Sequence, residues 1–217
     1  MAATVVRAAD ELAGGMGKAM EITYGNIRLR DMCSADIEDY VRWFTTQTEW
    51  LDWDEPWDPV NTDAEQERAR WSRCCAETRA LSPDAPRRRL EIETEGRHIG
   101  CVIVYPVNAQ GEWTPREQAN PEQTLYPAIG IDLCEPGFSG RGLGTQALQA
   151  FVQYLSQLGC HTLYLTTWSG NLRMIRLAQK LGFALCLRTP DCRIVRGKPY
   201  DELVYRQKVD AVTSVKI

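Results

Sequence analysis

The chain has 217 residues, 44% of them hydrophobic, with seven tryptophans and a formal charge of −4. That length suits one medium domain with ample apolar material for a core, and the acidic balance offers nucleic acid no footprint. The longest mostly apolar run, IGCVIVYPV, is far too short to span a bilayer, so a membrane partner is not expected either.

In chain order, residues 1–19 carry Asp10, Glu11 and a GGMG break but no uninterrupted apolar segment, so no secretory signal is expected. They read as a flexible extension before a domain over 20–210, with 211–217 as a C-terminal tail. NIRLRDM (26–32) alternates as a strand should, and SADIEDYVRWFTTQ (34–47) places Ile37, Tyr40, Val41 and Phe44 on one helical face, with Ser34 as its N-cap. EWLDWDEPWDP (49–59) breaks the periodicity with prolines and acids and is expected as a loop; a charged helix follows over 61–80 and turn material over 81–86. RRLEIETE and HIGCVIVYPV form a hairpin about a tight Gly96-Arg97 turn, and 108–124 is a polar loop. YPAIGIDLC (126–134) is a strand, apolar residues from Ala147 to Leu158 mark a helix over 144–158, and HTLYLTTW (161–168) is the next strand. A short helix over 171–183 and two strands joined by RGKP complete the order β-α-α-β-β-β-α-β-α-β-β, a mixed α/β arrangement with one parallel crossover.

The eight cysteines (33, 74, 75, 101, 134, 160, 186 and 192) include no CxxC, and His98 and His161 lie far from any cysteine pair. No metal site is expected; buried thiols in a reducing cytoplasm account for the pattern.

GFSGRGLGTQAL carries the chemistry. Glycines at 140, 142 and 144 alternate between a strand and a strong amphipathic helix. The N-terminus of a helix presents unpaired N–H groups and partial positive charge, which suits a phosphate, and side chains at these positions would block its approach. A P-loop needs a lysine before Thr145, where Gly144 stands. A dinucleotide fingerprint is formally met by Gly142, Gly144 and Ala147, but the link EPGFS is long and the next strand ends in Thr166, Thr167 and Trp168 rather than in an acid.

EPGFSGRGLGTQAL resembles the coenzyme A pyrophosphate loop of the GNAT superfamily of N-acetyltransferases, R/Q-x-x-G-x-G/A: Gly142 and Gly144 match, while Ser139 stands where Arg or Gln is usual. NLRMIRLAQKLGF is similar to a second family segment through Asn171, Lys180, Gly182 and Phe183, although an asparagine there also serves as a plain N-cap. The resemblance extends over residues 22–208 and is closest to the branch containing ribosomal-protein alanine acetyltransferases.

The resemblance implies the GNAT fold: α/β (α+β), a mixed, mostly antiparallel sheet of about seven strands with helices on both faces and a splayed central parallel pair. It implies acetyl-CoA as co-substrate, with the backbone of Leu133 and Cys134 along the pantetheine arm and Ser139, Gly140, Arg141, Gly142, Leu143, Gly144, Thr145 and Asn171 around the rest of the coenzyme. It also implies direct attack on the thioester by a primary amine, either a protein N-terminal α-amine or a small amine, leaving Cys134 a structural thiol. Asp132 and Glu135, at the strand end, are the candidate bases; Trp50, Trp53, Asp54 and Glu55 fall in the loop that borders the acceptor site in this family. Ala178 and Met174 replace the tyrosine and serine that serve as acids in relatives, so the alternative is a CoA-binding sensor or interaction module. A cytoplasmic monomer or homodimer is expected.

Overall fold

The computed structural model describes residues 4–5, 19–60, 63–120 and 122–209. The expected tail 211–217 and most of the expected extension 1–19 lie outside the described residues; of that extension, Thr4 and Val5 form a short strand.

The strands are β1 (Thr4–Val5), β2 (Glu21–Tyr24), β3 (Ile27–Arg30), β4 (Arg89–Thr94), β5 (Arg97–Val107), β6 (Tyr126–Leu133), β7 (Thr162–Trp168), β8 (Ala184–Val195) and β9 (Lys198–Lys208). The helices are α1 (Asp36–Thr45), α2 (Ala64–Ala80), α3 (Leu143–Gln157) and α4 (Leu172–Lys180). Among the described residues, seven of the nine strands are those expected; β1 and β2 are the additions. Two compact units divide the chain: the first holds residues up to Trp50, Pro59–Val102 and Asp132–Ala150, the second Leu51–Asp58, Ile103–Ile131 and Phe151 onward. Strand order is β1-β2-β3-β4-β5 in the first and β5-β6-β7-β9-β8 in the second, β5 and β6 contributing residues to both.

Local chemistry shifts several boundaries. Glu95 and Gly96 both have positive φ (53° and 71°), so they form the β4–β5 turn, and Arg97 is instead the first residue of β5. Arg196 and Gly197 do the same between β8 and β9, with φ of 51° and 76°. Such two-residue turns match the twist of the strands they join. Ser34 is not the cap of α1: Ala35 occupies that position without a side-chain bond, and the Asp36 carboxylate accepts the Cys33 N–H at 2.8 Å. The first part of the loop at 49–59 is a 3₁₀ turn, Glu49–Asp52.

In the first unit, the face of α1 centres on Tyr40, Val41 and Trp43, all buried, whereas Ile37 and Phe44 are half-buried at its margin. Tyr40 stacks on Trp71 of α2 with centroids 3.8 Å apart, and Met32, Cys75 and Cys134 complete the cluster. In the second unit Val107, Ala128, Tyr164 and Val204 form a smaller core.

The first unit also buries a charge network. His98 Nδ1 lies 3.1 Å from Asp39 and Nε2 lies 3.0 Å from Glu91, which has no exposed surface. Glu91 further accepts from Tyr40 and, at 2.9 Å, from Arg89. Burial alone would lower the His98 pKa, but hydrogen bonds to Asp39 and Glu91 and the charges of Glu91 and Asp36 outweigh it and push it up to about 9. Asp36, Asp39 and His98 bring ligand-capable atoms within 4.8 Å of one another, yet Arg30 pairs with Asp36 at 2.7 Å, Arg42 pairs with Asp39 at 3.0 Å, and the imidazole is protonated. The group is an ion-pair cluster whose cations come from the chain itself.

Because the folded-state pKa of His98 lies above the ordinary 6.5, its contribution is complete below that value and is lost as pH rises through about 9. Urea midpoints measured from pH 6 to pH 10 should fall over this window, and His98→Gln should be less stable at pH 6 with a smaller decline.

Candidate active site

The strand end and glycine loop lie in the first unit. Ile99 carbonyl accepts from both Cys134 N–H (3.0 Å) and Glu135 N–H (3.2 Å), ending regular pairing and turning the chain out of β6. At Gly100 a Cβ would sit 1.9 Å from the Asp132 carbonyl oxygen, so only glycine allows this approach. Beyond the turn, Gly140 and Gly142 take φ of 80° and 79°, a conformation costly to side chains, and no atom lies within 4 Å of where a Cβ would stand at either. α3 starts at Leu143, and Gln146 N–H bonds back to Gly142 carbonyl at 3.2 Å. The N–H groups of Leu143, Gly144 and Thr145 precede the first carbonyl a helix can offer them, so they point outward from its end. Positive-φ glycines, open space and a helix N-terminus fit a coenzyme diphosphate. Arg141 lies over the Phe138 ring (5.0 Å to its centroid) and pairs with Glu95 at 2.6 Å; both charged side chains are well exposed. Gln146 Oε1 accepts Asn26 N–H at 2.7 Å, tying the start of α3 to the β2–β3 turn.

The two expected bases differ. Glu135 is buried: one oxygen accepts from Arg42 (2.6 Å) and the Trp43 indole (2.9 Å), the other from Arg97 (2.5 Å). Both oxygens are committed. Asp132 is half-buried, with the Cys101 thiol 3.7 Å from its carboxylate. Cys134 is buried, and burial, reinforced by Asp132, pushes its thiol pKa well up, as suits a structural thiol. Leu133 ends β6 half-buried, and Ser139 lies exposed ahead of the glycines.

In the second unit β6 and β7 run parallel but, among the described residues, pair at one register, Ala128 opposite Tyr164. Asn171 caps α4, its Oδ1 accepting Met174 N–H at 2.9 Å, while Nδ2 donates to Trp53 carbonyl at 2.5 Å. The acidic tryptophan segment is thus divided. Trp50 packs on the core of the first unit and donates to Trp43 carbonyl at 3.0 Å. Trp53 and Trp57 lie in the second unit, with Arg173 over one ring at 3.9 Å and Arg193 over the other at 4.9 Å. Those aromatic faces already hold guanidinium groups from the chain itself. Desolvation, then the charges of Asp54 and Asp58, pushes the Glu55 carboxyl up to about 7, although the residue as a whole is exposed.

The family model "Acetyltransferase (GNAT) domain" matches residues 26–184, more than half of the chain. The chain belongs to the GNAT acetyltransferase family. A GNAT-family acetyltransferase from Bacillus anthracis has the same fold at 14% identity, with a TM-score of 0.63 covering 87% of this chain and 98% of the other. So does RimL, a ribosomal alpha-N-protein acetyltransferase solved with coenzyme A, at 17% identity and a TM-score of 0.65, covering 88% of this chain and 99% of that one. A ribosomal-protein-alanine N-acetyltransferase from Brucella melitensis aligns at 17% identity with a TM-score of 0.58, covering 83% and 99% of the two chains. Spermine/spermidine N(1)-acetyltransferase of Bacillus subtilis (strain 168) is 40% identical over 47 residues, 21% of this chain and 31% of that protein. The aligned stretch therefore spans under a third of that curated relative's length. Among the described residues no helix is long and apolar enough to cross a membrane.

For this GNAT chain, sequence reasoning missed the partners of Glu135, namely Arg42, Trp43 and Arg97, which come from α1 and β5. It also missed Trp168, whose indole donates to Trp53 carbonyl at 3.1 Å. The only sequence signal was a buried-type tryptophan and an arginine beside the apolar face of a helix. Gly142→Glu adds strain at a positive φ and places a carboxylate in the open space ahead of α3. Calorimetry with coenzyme A should show at least about tenfold weaker binding, by analogy with buried like-charge contacts, while the melting temperature moves by only a few degrees.

Proposed function

We propose that this chain is an acetyl-CoA-dependent N-acetyltransferase that transfers the acetyl group directly to a primary amine. The observation that carries this is the loop itself: strand end, glycines at positive φ with open space above them, then unpaired helix N–H groups. Leu133 and Cys134 would hold the pantetheine arm by their backbone, and residues 139–145 the diphosphate. The amine nitrogen attacks the thioester carbon, the C–S bond breaks, and the thiolate leaves with the coenzyme. No covalent acyl-enzyme is needed, and the buried Cys134 thiol is poorly suited to form one.

The first acceptor is a protein N-terminal α-amine. At pH 7 such an amine, with a pKa of about 7.8, is already roughly one-seventh neutral, whereas a polyamine near 10.4 is neutral in only about 1 molecule in 2,500. That difference favours the α-amine, which needs far less help from a base to present a free lone pair. The fold likeness to ribosomal-protein alanine acetyltransferases supports the same choice. A polyamine is the second reading, favoured by Asp54, Glu55 and Asp58 in one short loop and by the stretch shared with the spermine/spermidine enzyme.

Glu135 acts as a strut, because three donors occupy its oxygens. Asp132 and Glu55 are the candidate carboxylates for proton transfer. Glu55, near 7, is the better matched, since a general base works best with a pKa close to the working pH.

Release of free thiol from acetyl-CoA, measured with an alanyl peptide and with spermidine, tests this reading. Turnover with the peptide should exceed that with spermidine at pH 7, and thiol release with neither would overturn it. Glu55→Gln should lower kcat/KM by roughly a hundredfold at pH 7 and remove the inflection near 7 from its pH profile. Asp132→Asn should leave that inflection in place.

A further inference from the structure

Beyond Ala128 opposite Tyr164, no further register joins β6 to β7 among the described residues. Burial changes at the same place: Leu163, Tyr164 and Leu165 are buried, whereas Thr166, Thr167 and Gly130 are half-buried. One side chain crosses this opening. Tyr105, on β5, packs its ring against the cluster of Val107, Ala128, Tyr164 and Val204. A Cβ at Gly130 would stand 3.6 Å from Tyr105 Cε1, so the ring lies against β6 at its glycine. The hydroxyl carries on to β7, where it meets Thr166 Oγ1 at 2.9 Å. A side chain from β5 thereby passes over β6 and ends on the far side of the opening. Residues two apart on a strand share a face, and two residues beyond Thr166 the Trp168 indole donates to the Trp53 carbonyl at 3.1 Å. The hydroxyl pair therefore lies on the sheet face that anchors segment 51–58, and all these residues belong to the second unit.

We propose that Tyr105 is a catalytic residue of this site, the proton donor to the thiolate that leaves as the amide forms, with Thr166 as its positioning residue. This rests on the acetyltransferase reading above, with the pantetheine arm along β6. As the amine nitrogen bonds to the acyl carbon, the C–S bond breaks and its electron pair goes to sulfur. The Tyr105 O–H proton follows that pair. The phenolate then regains a proton and the nitrogen loses one, both through water, so the products are an amide and a free thiol and the hydroxyl ends as it began. An alkyl thiol has a pKa of about 8.5 against about 10 for a phenol, close enough for the proton to move as the bond breaks. A hydroxyl has one hydrogen to donate and two acceptor sites, so Thr166 can donate to the phenolic oxygen while Tyr105 keeps its own hydrogen for sulfur. That bond favours the phenolate as it forms.

Tyr105→Phe keeps the ring and removes the hydroxyl. The single-turnover rate of transfer from acetyl-CoA to the alanyl peptide should fall roughly a hundredfold, an ordinary contribution for one general acid. The calorimetric Kd for coenzyme A and the melting temperature should stay at the wild-type values. An acid must be protonated to act, so the rate falls as pH rises through its pKa. Thr166→Val keeps the side chain's shape; its rate should fall about tenfold, and the alkaline limb of its pH profile should move to higher pH, because the phenolate has lost a donor. Difluorotyrosine incorporated at position 105 restores a hydroxyl, and a more acidic one. It should recover transfer with the limb moved to lower pH, a shift that a packing role would not produce. An unchanged rate in Tyr105→Phe would overturn the proposal. So would a limb that stays in place with difluorotyrosine, or a loss of rate matched by an equal loss of coenzyme A affinity. Absence of thiol release by the wild type with either amine would instead defeat the acetyltransferase reading, a distinct result.

Discussion

The carboxylate of Glu135 is the constraint on which the first unit's candidate site depends. It stands where β6 has ended and the glycine loop has not begun, and it draws donors from α1 and β5 onto that turn. A buried carboxylate is tolerated only when its lone pairs are filled, and removing one partner of such a group costs more than the pair itself contributes. Through Arg42 the same charge reaches Asp39, then His98 and Glu91. The strand end is thus fastened to a buried polar network as well as to an apolar core, and the loop that follows is held at its root.

What the loop offers is backbone. The glycines at 140 and 142 are required by their φ angles, and the space above them is open. Crowding within the chain does not explain these glycines. A surface of N–H groups can grip a diphosphate without committing a side chain, so in the proposed coenzyme site Ser139 in place of the family's usual Arg or Gln would leave the main interaction intact.

The second unit solves a different problem with the same economy. Trp53 and Trp57 invite cations, and the chain satisfies them with Arg173 and Arg193. Aromatic faces become fasteners within the chain. Desolvation and two neighbouring carboxylates lift Glu55 toward neutrality, giving that segment a group that exchanges protons near pH 7.

The strands from β3 to β9, the four helices and the glycine loop were legible in the sequence, because each rests on short-range features: alternation, helical periodicity, and glycines where a side chain would be strained. So was the family, carried by the loop and by the segment from Asn171 to Phe183. Capping of α1 was misjudged because Ala35 holds the cap position, while Ser34 Oγ accepts from Arg79 and the Asp36 carboxylate accepts Cys33 N–H and pairs with Arg30, contacts set by distant segments. The partners of the Glu135 carboxylate and the Asn171 carboxamide were beyond reach, since Arg42, Arg97 and Trp53 lie 93, 38 and 118 positions away. Periodicity reports which face of an element is buried; which carboxylate meets which donor is decided only when distant segments close on one another and every buried polar atom must find a mate.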